Sequence, residues 1–352
     1  MSTSAIGGQR AARLRFRWIA AGVAAVAVAL AVGVAVGPVS IEAGGLVGEV
    51  TSRLPLVGTG SGLSAQDSTI VWELRLPRVV LALLVGSMLA GAGASYQGVF
   101  RNPLADPYLL GAAAGAGLAV TLLLVAAPGV SGGGLNPLPV AAFAGALCAV
   151  LLSYVLGRAS GGRSAATLLL AGVAVASFLT AVQTYVQQQN VETIRQVYSW
   201  ILGRLTTAGW SEVILVLPYF VVTTAILLVH RRVLDVLAVG DTEASTLGVP
   251  TARTRLVIVA TASLATAAAV SVSGLIGFVG IIVPHTVRLV AGSSYRVILP
   301  LSLFFGAAFL AFADLAARTI AAPSEIPIGV VTAFVGAPFF ILVLRRSQEA
   351  PA

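Results

Sequence analysis

Ten runs of roughly 20 predominantly apolar residues recur along this chain and leave it few places to fold other than a lipid bilayer. They lie near residues 18–37, 79–99, 108–127, 138–157, 166–189, 211–230, 254–273, 276–291, 297–317 and 328–344. Runs of this kind are helices, because barrel strands would alternate apolar and polar residues. Of the 352 residues, 58% are hydrophobic and only 10% charged, against about 25% charged in a soluble domain. Lipid must therefore cover most of the surface. The expected fold is all-α, a polytopic membrane bundle of about ten transmembrane helices forming a single domain over 1–352. The eighth run is the weakest, because Pro284, His285 and Arg288 interrupt it. Such a break is tolerated only where protein surrounds the backbone.

The net charge is +8, and all 21 basic residues are arginine. Nucleic-acid binding is the usual reading of a basic chain. Here the arginines stand at the ends of apolar runs, which is the pattern of membrane topology. Ten spans put both termini on one side. Counting arginines by side gives 15 with the termini and 6 opposite, so the positive-inside rule predicts N-in and C-in. Four arginines precede the first run as in a signal peptide, but 18–37 is long for a cleaved one, and we read it as a retained span. Residues 1–17 and 345–352 are then cytoplasmic tails, 38–74 and 190–210 extracytoplasmic segments, and 231–253 a cytoplasmic segment. Cys148, the only cysteine, lies within an apolar run and reads as a small buried residue.

Three local patterns carry more than topology. In residues 75–117, Arg75 and Arg78 open a span, and Asn102-Pro103 and Asp106-Pro107 turn the chain sharply at its other end. In 237–250, LAVGDTEASTLGVP, Gly240 breaks the chain and Asp241 is a good N-cap. Glu243 sits in the first turn, and Gly248 and Pro250 stop the helix. The pattern predicts a short helix over 242–247, carrying Ala244 and Leu247 and too short to be stable alone. It is either a solvated loop or a lever for a cytoplasmic partner. Finally, Thr180, Gln183, Thr184 and Gln187 share one helix face. A polar stripe is costly against lipid, so it must face protein or water.

The motifs LRLPR (74–78), GVFRNPLADPYLLG (98–111), the 237–250 segment, GLIGFVGIIVPHTVRL (274–289) and DLAARTIAAPSEIPIGVVTAFVGAPFF (314–340) resemble a permease of the iron-siderophore, haem and cobalamin ABC import family. The likeness covers nearly the whole chain from about residue 70 onward, and more loosely the first span. It implies a homodimer of ten-helix subunits in the bacterial cytoplasmic membrane, with two ABC ATPase subunits below and an extracytoplasmic substrate-binding protein above. It implies no cofactor on this chain, and ATP and Mg on the ATPase. The chain has no GxxxxGK[ST] phosphate loop, which agrees with a non-enzymatic transport subunit.

The resemblance also assigns roles. Arg75, Arg78 and Arg318 would receive glutamates of the binding protein, as exposed arginines that steer and orient, or else serve as interfacial anchors. Glu325 would pair with Arg318 or simply start the last span. Thr180, Gln183, Thr184 and Gln187 would line the translocation pathway, with interhelical hydrogen bonding as the other reading. Ser164, Ala165, Ala166 and Thr167 would form a cytoplasmic gate or a plain tight turn. Gly240, Asp241, Glu243, Ala244, Leu247 and Gly248 would couple to the ATPase. His285 reads as a packed structural histidine rather than a metal ligand.

The expected cargo is an iron-siderophore complex, with haem or cobalamin as alternatives. An ion-coupled secondary transporter would need carboxylates at membrane depth, and only Asp314 lies clearly inside a predicted span. A membrane enzyme would need a cluster of His, Cys or acidic residues there, and the sequence shows none.

Overall fold

In the computed structural model, residues 14–39, 41–52, 62–127, 136–159, 165–203, 205 and 209–348 are described. Ten helices follow the ten apolar runs: α1 (Phe16–Ala35), α4 (Leu76–Phe100), α5 (Ala112–Ala126), α6 (Leu138–Ala159), α7 (Ala165–Gln189), α9 (Trp210–Val239), α11 (Thr251–Ser273), α12 (Val279–Ala291), α13 (Tyr295–Thr319) and α14 (Ile328–Gln348). Short helices sit between them: α2 (Ala43–Ser52), α3 (Ala65–Thr69), α8 (Ile194–Ile201) and α10 (Asp241–Thr246). A π-helical stretch, Ile70–Arg75, runs from α3 into α4. Seven of the described helices are long and apolar enough to cross a membrane, and α5, α12 and the apolar part of α14 are shorter. The chain is thus an all-helical polytopic bundle. Below, inner denotes the arginine-rich end.

α4 is the axis of the bundle. It is apolar all round and buried nearly throughout, packed by α13, α11, α9 and α12. Small residues make this possible, because van der Waals packing rather than hydrophobic exclusion holds membrane helices together. A Cβ at Gly86 would strike the Gly306 carbonyl and Leu310 of α13, and one at Gly93 would strike Gly280 of α12. Gly115 and Gly145 bring α5 and α6 together in the same way. Tyr96 on α4 and Ser263 on α11 set their hydroxyls 2.5 Å apart.

The two shortest spanning helices explain each other. α5 has 15 residues and α12 has 13, about 22 and 20 Å at 1.5 Å per residue, short of a hydrocarbon core of about 30 Å. Non-helical backbone makes up the difference inside the protein. Residues 101–111 leave the surface after Pro103, with Ala105, Pro107, Leu110 and Gly111 buried among the helices. There the Ser153 hydroxyl donates to the Leu110 carbonyl at 2.9 Å, and Gly172 of α7 packs on the Leu109–Leu110 backbone. Residues 274–278 precede α12, with Phe278 in the left-handed region. The Tyr108 hydroxyl bridges the two segments, donating to the Ile276 carbonyl at 3.0 Å and accepting from its N–H at 3.1 Å. Polar backbone at this depth is satisfied by protein, as it must be.

Several sequence expectations shift. The third span starts at Ala112 rather than 108, because two side-chain turns hold the chain open: Asn102 Oδ1 accepts from Leu104 N and Asp106 Oδ1 from Tyr108 N. The sixth span continues to Val239, so most of the inner segment is helix. Asp235 on that extension accepts from the Ser294 hydroxyl and the Tyr295 N–H and so caps α13. Cys148 lies on the exposed face of α6 rather than buried, since in a membrane the apolar face need not turn inward. The outer segment 38–74 is also partly folded. Glu49 of α2 accepts from the Ser68 hydroxyl and Trp72 Nε1, and Trp210 Nε1 donates to the Trp72 carbonyl.

Candidate functional site

The arginines read as outer docking residues converge at the outer ends of α1, α4 and α13, but they are not three free charges. Arg78, in the first turn of α4, donates through Nε and Nη2 to Asp314 at 2.8–3.2 Å. Its other edge donates to Glu325 at 2.8 and 3.0 Å. Arg318 stands one turn after Asp314 on α13, with Nε 3.5 Å from Asp314 Oδ2 and Nη2 donating to the Gly33 carbonyl at 2.5 Å. Arg75 donates to the carbonyls of Val34, Ala35 and Val39. Those of Val34 and Ala35 are open carbonyls at the end of α1, where a cation also answers the helix dipole, and Val39 lies in the segment that follows.

Sequence reasoning expected exposed arginines. Instead Arg75 is 5% and Arg318 2% exposed, and Asp314 only 1%. The physical reason is close packing at Gly86 and Gly306, which draws the charged ends of α4 and α13 together. Buried charges persist there because they are paired and hydrogen-bonded. Glu325, 30% exposed, pairs with Arg78 rather than Arg318. Arg78, Asp314, Glu325, Ser199 and Gly203 line an outer cavity of about 200 Å³.

The polar stripe of α7 divides. Gln183 and Gln187 are buried, with the Gln183 amide packed against Gly117 of α5. Thr180 and Thr184 are exposed, and the Thr184 hydroxyl donates to the Thr180 carbonyl. The open face continues through Ser177 and Gln188, four or seven residues from positions in the stripe. That spacing was available in the sequence and points to both. Of the gate residues, Ser164 lies outside the described residues, α7 begins at Ala165, Ala166 is exposed and Thr167 half-buried.

At the inner end, α10 lies across the α9–α11 connection. Its cap is Gly240, and the Asp241 side chain does not cap it as the sequence suggested. Asp241 Oδ1 instead accepts from Arg255 Nη2 at 2.7 Å and Arg101 Nη2 at 3.1 Å. Arg101 ends α4 in a left-handed conformation, so one carboxylate ties α10 to α4 and α11. Competition from two guanidinium groups outweighs a cap worth about 1 kcal/mol. Glu243 folds over Gly240, where a Cβ would come 2.8 Å from its carboxylate carbon. Ala244 is fully buried, whereas Leu247 is 71% exposed. Gly248, at φ 79°, closes the helix through Gly248 N to Ser245 O and Val249 N to Ala244 O. Neither Arg101 nor Arg255 was legible as a partner of Asp241, because they stand 140 and 14 residues away. His285 packs edge-on against Phe339 at 5.9 Å.

Comparison with known proteins bears on what this arrangement serves. Residues 25–346 match the FecCD transport family. The chain is 45% identical over 287 residues to the cobalamin import system permease protein BtuC of Halobacterium salinarum, covering 82% of this chain and 76% of that one. It is 39% identical to the hemin transport system permease protein HmuU of Yersinia pestis, over 79% and 84% of the two chains. It is 38% identical to the iron(3+)-hydroxamate import system permease protein FhuB of Bacillus subtilis, over 80% and 72%. A solved structure of an ABC transporter assigned to the metal-chelate type, in an inward-facing conformation, superposes with TM-score 0.80 at 25% identity, covering 94% of this chain and 99% of that one.

Proposed function

Because the chain belongs to the FecCD transport family, and so is the non-catalytic, multi-pass permease subunit of an ABC importer in the cytoplasmic membrane, we propose that its cargo is a ferric siderophore. The observation that carries this reading is the whole-chain likeness to a metal-chelate type transporter, supported by the likeness to an iron(3+)-hydroxamate permease. Cobalamin is the second reading, favoured by 45% identity to a cobalamin permease. Both cargoes are bulky, and the exposed face of α7 suits either. Its Ser177, Thr180, Thr184 and Gln188 are neutral and polar, so they can pass a large polar complex without gripping it.

The family implies a separate ATPase and a binding protein as partners. In our reading two copies of this chain assemble with their α7 faces on a shared pathway. Two ATPase subunits bind ATP and Mg, and this chain holds no cofactor. The binding protein docks at the outer rim, where a carboxylate from it replaces Glu325 on Arg78. Arg75 and Arg318 support that docking from behind by holding α1 and α13 in register. At the inner face, the exposed Leu247 and Glu243 of α10 meet the ATPase, and Asp241 passes the displacement to α4 and α11. The first turn of α7, Ala165 to Thr167, closes the pathway on the inner side.

The test is uptake into proteoliposomes holding this chain, its ATPase and its binding protein. ATP-dependent accumulation of a radiolabelled ferric hydroxamate, with cobalamin and haemin excluded, is the expected result. Uptake of cobalamin alone would install the second reading, and uptake of haemin alone would reject both.

A further inference from the structure

A cavity of about 500 Å³ lies between the inner ends of α6, α7 and α11, beside α10, and none of the roles above uses it. Its mouth carries Arg158, Arg253 and Arg255 against one carboxylate, Asp241. That carboxylate is already divided between Arg255 and Arg101. Arg158 folds onto Tyr154, donating to its hydroxyl at 3.2 Å. Arg255 is 7% exposed, and its Nε is buried with no hydrogen-bond partner among the described residues. Three guanidinium groups against one shared carboxylate leave the mouth net positive and suited to an anionic oxygen.

The deeper wall is apolar, formed by Leu168, Leu256 and Val259. Val259 stands eight residues along α11 from Thr251, about 12 Å further into the bundle at 1.5 Å per residue. Leu256 of α11 is exposed, as are Leu151 and Val155 of α6, seven and three residues before Arg158, so the wall opens toward an apolar outer surface.

We propose that this cavity holds an anionic phospholipid of the inner leaflet. Its phosphate accepts from Arg253 and Arg158, with the Arg255 guanidinium behind them adding positive charge, and one acyl chain runs along Leu168, Leu256 and Val259. A free phosphate would use the mouth but leave the apolar wall in water. A carboxylate from the ATPase would reach the mouth from the cytoplasm, but not the wall. A lipid seated there lies against the Asp241–Arg255 link and sets how firmly α10 is held. The inference is independent of the cargo.

The test uses the full chain with its ATPase subunits, extracted from nanodiscs that contain equal phosphatidylglycerol and phosphatidylcholine. Retained lipid is counted by native mass spectrometry. Phosphatidylglycerol should be retained about tenfold over phosphatidylcholine, and the exposed-site pair Arg158→Gln/Arg253→Gln should lose most of that preference. The control pair Arg232→Gln/Arg345→Gln should keep it. Leu256→Gln, on the wall, should lower retention as well, which gives a second variant should the first misfold. Equal loss in the control pair, or no loss in the cavity pair, would overturn the proposal. So would displacement of the lipid by inorganic phosphate alone, which would mark a free-anion site. Retention seen only without the ATPase subunits would mark a protein interface instead.

Discussion

Asp314 and Asp241 are each shared between two arginines, one at either end of the bundle, yet the two clusters have opposite character. Asp314 is 1% exposed and its partners, Arg78 and Arg318, are at most 12% exposed. Asp241 is 43% exposed and Arg101 beside it 38%, with only Arg255 dry, at 9%. Charges in a dry site interact strongly and tolerate no missing partner, whereas wet ones exchange partners at little cost. The outer cluster therefore fixes the helices in register. The inner cluster is a contact that can be remade as α10 moves, which suits an element pushed by a partner.

The most direct way to break this contrast is Asp314→Asn. It leaves the volume almost unchanged but removes the only carboxylate among the described residues paired with buried Arg318 and leaves Arg78 with Glu325 alone, and should cost about 3–5 kcal/mol. Thermal unfolding in nanodiscs should show a large drop or a failure to insert, and an unchanged midpoint would remove the distinction between the two ends. Tyr108→Phe probes a buried but uncharged link of intermediate strength. It leaves the Ile276 carbonyl and N–H unpaired and should cost about 1–3 kcal/mol, measured by the same unfolding curves.

Asp241→Asn should lower stability less than Asp314→Asn does, because the carboxylate and Arg101 are solvated and only Arg255 is left dry. Its effect should appear in coupling: ATP hydrolysis persists while uptake per ATP falls several-fold. Raising salt should mimic this variant at the inner end and leave the outer cluster untouched, because only exposed charges are screened. A loss of stability as large as that of Asp314→Asn would refute the contrast. The smallest expected effect is from Glu325→Gln, a rim position worth at most about 1 kcal/mol. It should alter the on-rate of the binding protein more than the unfolding midpoint, and surface plasmon resonance on nanodiscs would read that difference.

Much of the fold was legible because lipid imposes one rule throughout: an apolar stretch of the right length must become a helix. All ten spans, the short α10 and the interrupted eighth span can be read from that rule together with Gly, Pro and cap chemistry. The site was legible only as residue types. Arg75, Arg78 and Arg318 stood out as outer arginines, but their burial depends on how closely α4 and α13 approach. Gln183 and Gln187 turned inward while Thr180 and Thr184 did not, because α5 covers only part of that face. Asp241 looked like a cap, since nothing local announces two arginines from distant helices.

The sequence by itself determined that this chain spans a membrane about ten times as helices, and which side the arginines favour. Both follow from local hydropathy and local charge, which need no tertiary contact to act. Only the tertiary structure decided which charges are neutralised. Pairing energy depends on the separation and burial of groups up to 247 residues apart, and those are set by glycine-mediated helix crossings. The arginine that reads as a receptor in the sequence is, in the folded protein, first a partner of Asp314.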